Sequence, residues 1–267
     1  MAEKKRLDFL VVERGLLPTR AQARAAIMAG EVMVNKGILD KAGALVPVSA
    51  QVELKETPPF VSRGGLKLAK ALEQFSIDLN NRIVLDVGAS TGGFTDCCLQ
   101  AGARLVYAVD VGYGQLAWSL RTNPAVINIE RTNIRHLTRE HLTSGLPDFC
   151  SVDVAFISLR LVFPVIAELL TGPGELVMLI KPQFEADREE VGKRGVVRDP
   201  SVHIQVLRNV LAAAGERGFI LRNLAYSPIQ GPHGNIEYLA HGFFGGGAGD
   251  APLTPEEVVA AAHREFS

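Results

Sequence analysis

The sequence predicts an α/β protein: a Rossmann-like, doubly wound sheet closed by an antiparallel hairpin, preceded by a small α+β unit. Three observations carry this expectation. From Gly64 onward, short apolar runs alternate with helical segments, the pattern of a parallel sheet with helices on both faces. Two apolar runs, 219–226 and 236–244, then follow one another with only the turn-rich Ser227-Pro-Ile-Gln-Gly-Pro-His-Gly-Asn235 between them, which reads as an antiparallel hairpin. Ahead of both, residues 6–54 carry their own helix and strand signals, and Lys55-Glu-Thr-Pro-Pro59 breaks the pattern as a linker.

In the N-terminal unit, Leu7, Leu10 and Val11 have helical spacing, and Gly15 stops that helix. Thr19 caps a second helix, Arg20 to Ala29, which Gly30 ends. Val32-Met-Val34 runs into the turn Asn35-Lys36-Gly37, and Val46, Val48, Val52 and Leu54 suggest further short strand. In the larger unit, strands are expected at 83–87, 105–110, 126–130, 149–154 and 175–181. Helices are expected at 66–76, 93–101, 114–121, 138–143, 160–170 and 201–216. Residues 184–199 form a long charged connection, either a lid over a site or a plain solvated loop. Residues 245–250 read as a glycine-rich linker, and Thr254-Pro-Glu-Glu257 starts a C-terminal helix. The expected organisation is therefore 1–57, a linker at 58–63, 64–244, and a tail at 245–267.

Bulk properties exclude several classes. With 47% apolar residues and a net charge of −1, the chain reads as an ordinary soluble globular protein. No apolar run approaches the roughly 18 residues that would span a bilayer, and the charged Met-Ala-Glu-Lys-Lys-Arg6 leads into no apolar signal core. A cytoplasmic location without membrane attachment is the expectation. Cys97, Cys98 and Cys150 have neither a disulfide framework nor metal-ligand spacing and read as small buried residues, so no metal is expected. Charge is uneven. Residues 1–57 hold nine Lys/Arg against seven Asp/Glu, which locates any nucleic-acid affinity at that end.

The segment Asp86-Val-Gly-Ala-Ser-Thr-Gly-Gly-Phe-Thr95 is a strand end, a glycine loop and a helix start, the makings of a nucleotide-sized pocket. Its glycines, Gly88, Gly92 and Gly93, do not fit the G-x-G-x-x-G spacing of dinucleotide binders. Asp86 precedes the turn, where it could hold a cationic group, and a sulfonium or ammonium suits it better than a pyrophosphate. The loop, with Ser90 and Phe94, therefore points first to S-adenosylmethionine (SAM). A parallel sheet closed by a hairpin is likewise the methyltransferase variant of the doubly wound fold.

Ligands of an open parallel sheet bind beyond the carboxyl ends of its strands. Asp86, Asp110, Asn133, Asp153 and Lys181 all fall on that edge. Asp110, about 20 residues past the glycine loop, is placed to accept hydrogen bonds from ribose hydroxyls. Asn133 is placed to read an adenine edge. Lys181 follows the buried run Leu176-Val-Met-Leu-Ile180. Burial favours a neutral amine, which could take a proton from a hydroxyl. Glu237, from the hairpin, and Lys67, from the helix before the first strand, could reach the same cleft. Arg20 and Arg24 lie one helical turn apart and, with Arg6, Lys36 and Arg63, could form a phosphate-contacting patch.

Taken in order, Ser62-Arg-Gly-Gly-Leu-Lys67-Leu68, the glycine loop, Asp110-Val-Gly-Tyr-Gly-Gln-Leu116, Asp153 before Phe156-Ile-Ser-Leu159, Lys181-Pro-Gln-Phe-Glu185 and Gly234-Asn-Ile-Glu-Tyr238 resemble the TlyA family. These are FtsJ-like ribosomal RNA 2'-O-methyltransferases, often labelled haemolysin A. Residues 6–54, with Arg6-Leu-Asp8, Thr19-Arg20-x-x-Ala23 and Val34-Asn35, resemble the RNA-binding domain of ribosomal protein S-four. The resemblance implies a SAM-dependent methyltransferase sheet, a small RNA-binding domain, and ribosomal RNA or ribosomal subunits as partner, with a cytidine as target. It also implies a catalytic tetrad of Lys67, Asp153, Lys181 and Glu237. Lys181 would act as base or orient the hydroxyl. Asp153 and Glu237 would position the lysines, and Lys67 would offset local negative charge.

Two rivals come from other classes. A pore-forming haemolysin would need a spanning or strongly amphipathic cationic segment, and the sequence offers none. A non-catalytic RNA-binding protein would have no use for an intact tetrad.

Overall fold

The structure, a computed structural model, describes residues 3–55, 58–246 and 254–267. Parts of two linkers read from the sequence, 56–57 and 247–253, lie outside the described residues. The chain divides into two compact units, 1–58 and 59–267.

The first unit runs β1 (Lys4–Arg6), α1 (Leu7–Glu13), α2 (Arg20–Met28), β2 (Val32–Val34), β3 (Gly37–Ile38), β4 (Leu45–Pro47) and β5 (Val52–Leu54). β1 pairs antiparallel with β4, and β2 lies between β3 and β5 in a second antiparallel sheet. Thr19 caps α2, its side chain accepting from the Gln22 amide at 3.3 Å. Asn35 and Lys36 both take left-handed φ, the geometry of a tight hairpin turn. Leu7, Leu10 and Val11 of α1 bury against Ala23 and Ile27 of α2 and the valines of the strands. β1 is the element that sequence alone did not reveal. Three charged residues show no apolar alternation, and only pairing with Leu45–Pro47 makes them a strand.

The second unit begins with α3 (Gly64–Gln74), β6 (Ile83–Val87), α4 (Gly93–Gln100), β7 (Leu105–Val109), α5 (Trp118–Arg121), β8 (Val126–Ile129) and β9 (Phe149–Val152). It continues with α6 (Phe163–Leu169), β10 (Gly174–Ile180), α7 (Pro182–Glu185), α8 (Pro200–Glu216), β11 (Phe219–Tyr226), β12 (Tyr238–Phe244) and α9 (Pro255–Glu265). The strand order is β11-β12-β10-β9-β6-β7-β8. β10, β9, β6, β7 and β8 pair in parallel, and β12 is antiparallel to both β10 and β11. The hairpin thus joins the sheet through its second strand, with β11 outermost.

Alternate residues of each central strand face opposite sides. Leu85, Val87, Tyr107, Val109, Cys150 and Met178 pack towards α6, α8 and α9. Val84, Val106, Phe149, Val177 and Leu179 pack towards α3 and α4. Burial on both faces explains why these strands read as continuous apolar runs. The helix expected at 138–143 is a single 3-10 turn, Arg139–His141, because Leu142 is the one buried residue in that stretch and a longer helix would have no apolar stripe to cover. The helix expected at 114–121 is only the turn Trp118–Arg121. No helix of the described residues is long and apolar enough to cross a membrane.

Candidate active site

The carboxyl ends of β6, β7, β9 and β10 open onto two adjoining cavities in the second unit. The larger, of about 700 Å³, is bounded by the ends of β6 and β7, by Thr132–Arg135, and by Asp153–Ser158 and Lys181. The smaller, of about 260 Å³, lies between Ser62–Gly64, the glycine loop and Ile229–Pro232. Gly88, Ser90 and Asp153 line both, so the two form one cleft.

The glycine loop is shaped first by the protein's own packing. Gly88 has φ +87, and a Cβ there would lie 2.2 Å from the Asp153 carbonyl oxygen. Gly92, at φ +97, caps α4, and a Cβ would strike Leu120. The amides of Gly88 and Ala89 both donate to the Val109 carbonyl, fixing the loop to β7. Ser90 is itself left-handed, and its amide donates 2.8 Å to Asp110 Oδ2.

Of the residues expected to bind a cofactor, Gly88, Ser90, Asp110 and Asn133 line the larger cavity, while Gly93 and Phe94 line the smaller. Asp86 does not reach either. Its carboxylate is fully buried and accepts from Thr95 Oγ1 at 2.6 Å and Ser151 Oγ at 2.9 Å, tying β6 to α4 and β9. The cationic group placed on Asp86 by the sequence reading is therefore a correction. The strand's pleat turns the side chain into the layer beneath the loop. Burial pushes this carboxyl up to about 7, and the Asp153 charge adds to the effect.

The four tetrad residues come together as two ion pairs. Lys67 of α3 pairs with Glu237, the residue before β12, and both are buried. Lys181, just past β10, has its Nζ 2.5 Å from Asp153 Oδ1, just past β9. Lys67 and Asp153 line the smaller cavity, and Lys181 and Asp153 the larger, so Asp153 joins the two pairs. The other Glu237 oxygen, Oε1, is buried without a hydrogen-bond partner among the described residues.

Several site residues were missed from sequence. Phe156 is 92% exposed, has left-handed φ +62, lines the larger cavity and stands 5.0 Å from the Phe184 ring. Its signal was a large apolar residue placed after, rather than within, the strand that ends at Val152. Glu185 accepts from Ser158 Oγ and the Leu159 amide, pinning the cavity wall to α7. The charged connection 184–199 is anchored rather than free. Val196 and Val197 are buried, and Asn235 receives the Val197 amide at 3.3 Å and donates to the Gly195 carbonyl at 2.9 Å.

The basic residues divide between the units. Arg6 makes two hydrogen bonds to Asp8 at 3.0 Å each, and Arg20 a third at 3.1 Å. Hydrogen bonding to Arg6 and then Arg20 holds the Asp8 carboxyl at about 2. The Arg20 guanidinium also lies 3.8 Å from the Phe9 ring centroid. Arg24 and Lys36 are exposed. Arg63 differs from them in its unit and its contacts. It lies in the second unit, donates to the Gln230 carbonyl at 3.3 Å and lines the smaller cavity. Burial pushes the Cys97 thiol up to about 12 and raises that of Cys98 well above its ordinary value, so neither is a nucleophile.

The larger cavity suits a nucleoside-bearing ligand. It combines apolar walls with an acidic residue at the end of the second parallel strand and an amide side chain at the third. Lys181 and Asp153 are part of its wall.

Residues 60–244 match the FtsJ-like methyltransferase family, and residues 5–52 match the S4 domain. The chain is 49% identical to "Putative rRNA methyltransferase YqxC" of Bacillus subtilis, over 98% of this chain and 95% of that protein. It is 43% identical to the 16S/23S rRNA (cytidine-2'-O)-methyltransferase TlyA of Mycobacterium tuberculosis, over 89% of each. The solved structure "Putative hemolysin from Streptococcus thermophilus" is 48% identical and superposes with a TM-score of 0.77, covering 100% of this chain and 98% of that one.

Proposed function

The chain belongs to the TlyA family of FtsJ-like methyltransferases, and we propose that it methylates a ribose 2'-hydroxyl of ribosomal RNA, with SAM as donor and a cytidine as target. The observation that carries this reading is the pair of ion pairs, Lys67–Glu237 and Lys181–Asp153, with Lys67 lining the smaller cavity, Lys181 the larger and Asp153 both. SAM, when bound, supplies an electrophilic methyl group on a sulfonium.

The chain's own residues supply alignment. Asp110 accepts from the ribose hydroxyls of the donor, its two oxygens already steadied by the Ser90 and Gly112 amides. Asn133 faces the adenine. Lys181, held by Asp153, orients the acceptor hydroxyl towards the methyl group or, as the neutral amine, takes its proton. Lys67, held by Glu237, offsets negative charge on the acceptor side. The phosphates of the RNA meet Arg63 at the smaller cavity and Arg20, Arg24 and Lys36 on the S4 domain, which adds affinity by holding substrate near the site. The test is methyl transfer from SAM to ribosomal RNA by the purified protein, with Lys181→Ala alongside.

A further inference from the structure

Beyond the larger cavity, the surface carries aromatic side chains that the core leaves uncovered. Trp118 is 75% exposed and Tyr113 is 66% exposed. Single exposed apolar residues are ordinary, but the segments that carry these two are tied to each other through Glu130. Leu116 and Leu120 bury against Ala89 and Ala108, and the Ala117 amide donates to the Thr91 carbonyl. The segment that braces the glycine loop therefore leaves Trp118 outside. Tyr113 sits in a turn tied on both sides. The Gly112 carbonyl accepts from the Arg131 amide at 3.0 Å, and the Gly114 amide donates to Glu130 Oε1 at 2.9 Å. Glu130 also pairs with Arg121, one turn after Trp118.

Arg131 takes a left-handed φ of +54, and its guanidinium lies 3.9 Å from the Tyr113 ring centroid. Strain of this kind at an exposed cation persists only where surrounding bonds hold it. The local charge is also distinctive. Residues 111–141 hold four Arg against two Glu, whereas residues 58–267 as a whole hold 19 Lys/Arg against 22 Asp/Glu. The same segments reach the cleft, since Val111, Gln115 and Arg135 line the larger cavity.

We propose that Trp118, Tyr113 and Arg131 form a stacking platform for unpaired nucleotides of the RNA substrate that flank the modified one. Bases stack on aromatic faces whatever their sequence, and a guanidinium beside the ring adds both stacking and phosphate attraction. A duplex hides its base faces, so the platform selects single-stranded or splayed segments. The proposal rests on the RNA methylation reading above and specifies how the RNA is held.

Trp118 is the only tryptophan of the chain, so its fluorescence reports the platform directly. A single-stranded ribosomal RNA fragment should quench that emission, and the same sequence as a duplex should not, with SAM alone as the control. Trp118→Ala and Tyr113→Ala should each raise the KM for RNA by about tenfold. SAM affinity should be unchanged, and Trp118→Phe should restore most of the loss. Unchanged emission with RNA, or a parental KM in Trp118→Ala, would overturn the platform while a methylating parent protein kept the wider reading intact. Quenching by RNA in a protein that transfers no methyl group would support the platform and remove only the reading of activity.

Discussion

Lys67 and Glu237, 170 residues apart in the chain, meet as a buried ion pair that ties α3 to the start of β12. Lys67 is 8% exposed and Glu237 1%, so each charge is compensated chiefly by the other. Removing one partner from such a pair costs roughly 3–5 kcal/mol, because the other is left buried and uncompensated. Lys67→Ala should lower the denaturant midpoint by that measure and abolish methyl transfer. Lys67→Met combined with Glu237→Gln should be clearly more stable than Lys67→Ala while remaining inactive. Equal loss in both variants would mean that the pair is not coupled.

Gly88→Ala tests whether the glycine loop is held by backbone rather than by ligand. The new Cβ would sit 2.2 Å from the Asp153 carbonyl at φ +87. Backbone strain alone costs about 1–3 kcal/mol. Because the clash pushes on Asp153, the variant should lose turnover more than SAM affinity. Isothermal titration with SAM set against single-turnover rates separates the two.

These two contacts show how far the sequence could be read. Asp153, Lys181 and Glu237 were legible because each falls at an element boundary, where a polar residue adjoins an apolar run, whereas Lys67 lies within α3 and was marked by the family resemblance. Their pairing was not, since Lys67–Glu237 depends on β12 lying beside β10, and Lys181–Asp153 on β10 lying beside β9. Asp86 carried the same boundary signal and was misread. Pleat direction decides whether a strand-end carboxylate meets ligand or core, and one residue reverses it. Arg63 was grouped with the S4-domain arginines by charge alone, which cannot tell that it sits in the other unit. Phe156, though part of a family motif, was given no site role because hydrophobicity predicts burial, and a left-handed exposed Phe contradicts that rule.

Asp86 also sets a pH dependence. Its folded pKa of about 7 lies above the roughly 3.9 of a free aspartate. Between those values the folded protein binds the extra proton, so the contribution to stability is full below about pH 4 and is lost as pH rises through about 7. Asp86→Asn should remove this falling limb while keeping an acceptor for Thr95 or Ser151. Urea unfolding from pH 4 to 8 measures it. An unchanged slope in the variant would show that another group titrates there.

RNA affinity should fall steeply with salt, as expected for phosphate contacts. Arg24→Ala and Lys36→Ala should each reduce the slope of log K against log salt by about 1. Deleting residues 1–57 should remove most of it. Arg6→Ala should act differently, since it strips Asp8 of two hydrogen bonds and destabilises the first unit. Hydrogen exchange of the α1 amides distinguishes that loss from a loss of phosphate contact.

The decisive measurement is mapping of 2'-O-methyl groups, at nucleotide resolution, on ribosomal RNA from unmethylated subunits incubated with the protein and SAM. The parent protein should add a 2'-O-methyl at defined cytidines. Lys181→Ala should add none while binding SAM with near-parental affinity. Methyl groups on bases rather than ribose, or full ribose methylation by Lys181→Ala, would contradict the assignment of the Lys181–Asp153 pair to the acceptor hydroxyl.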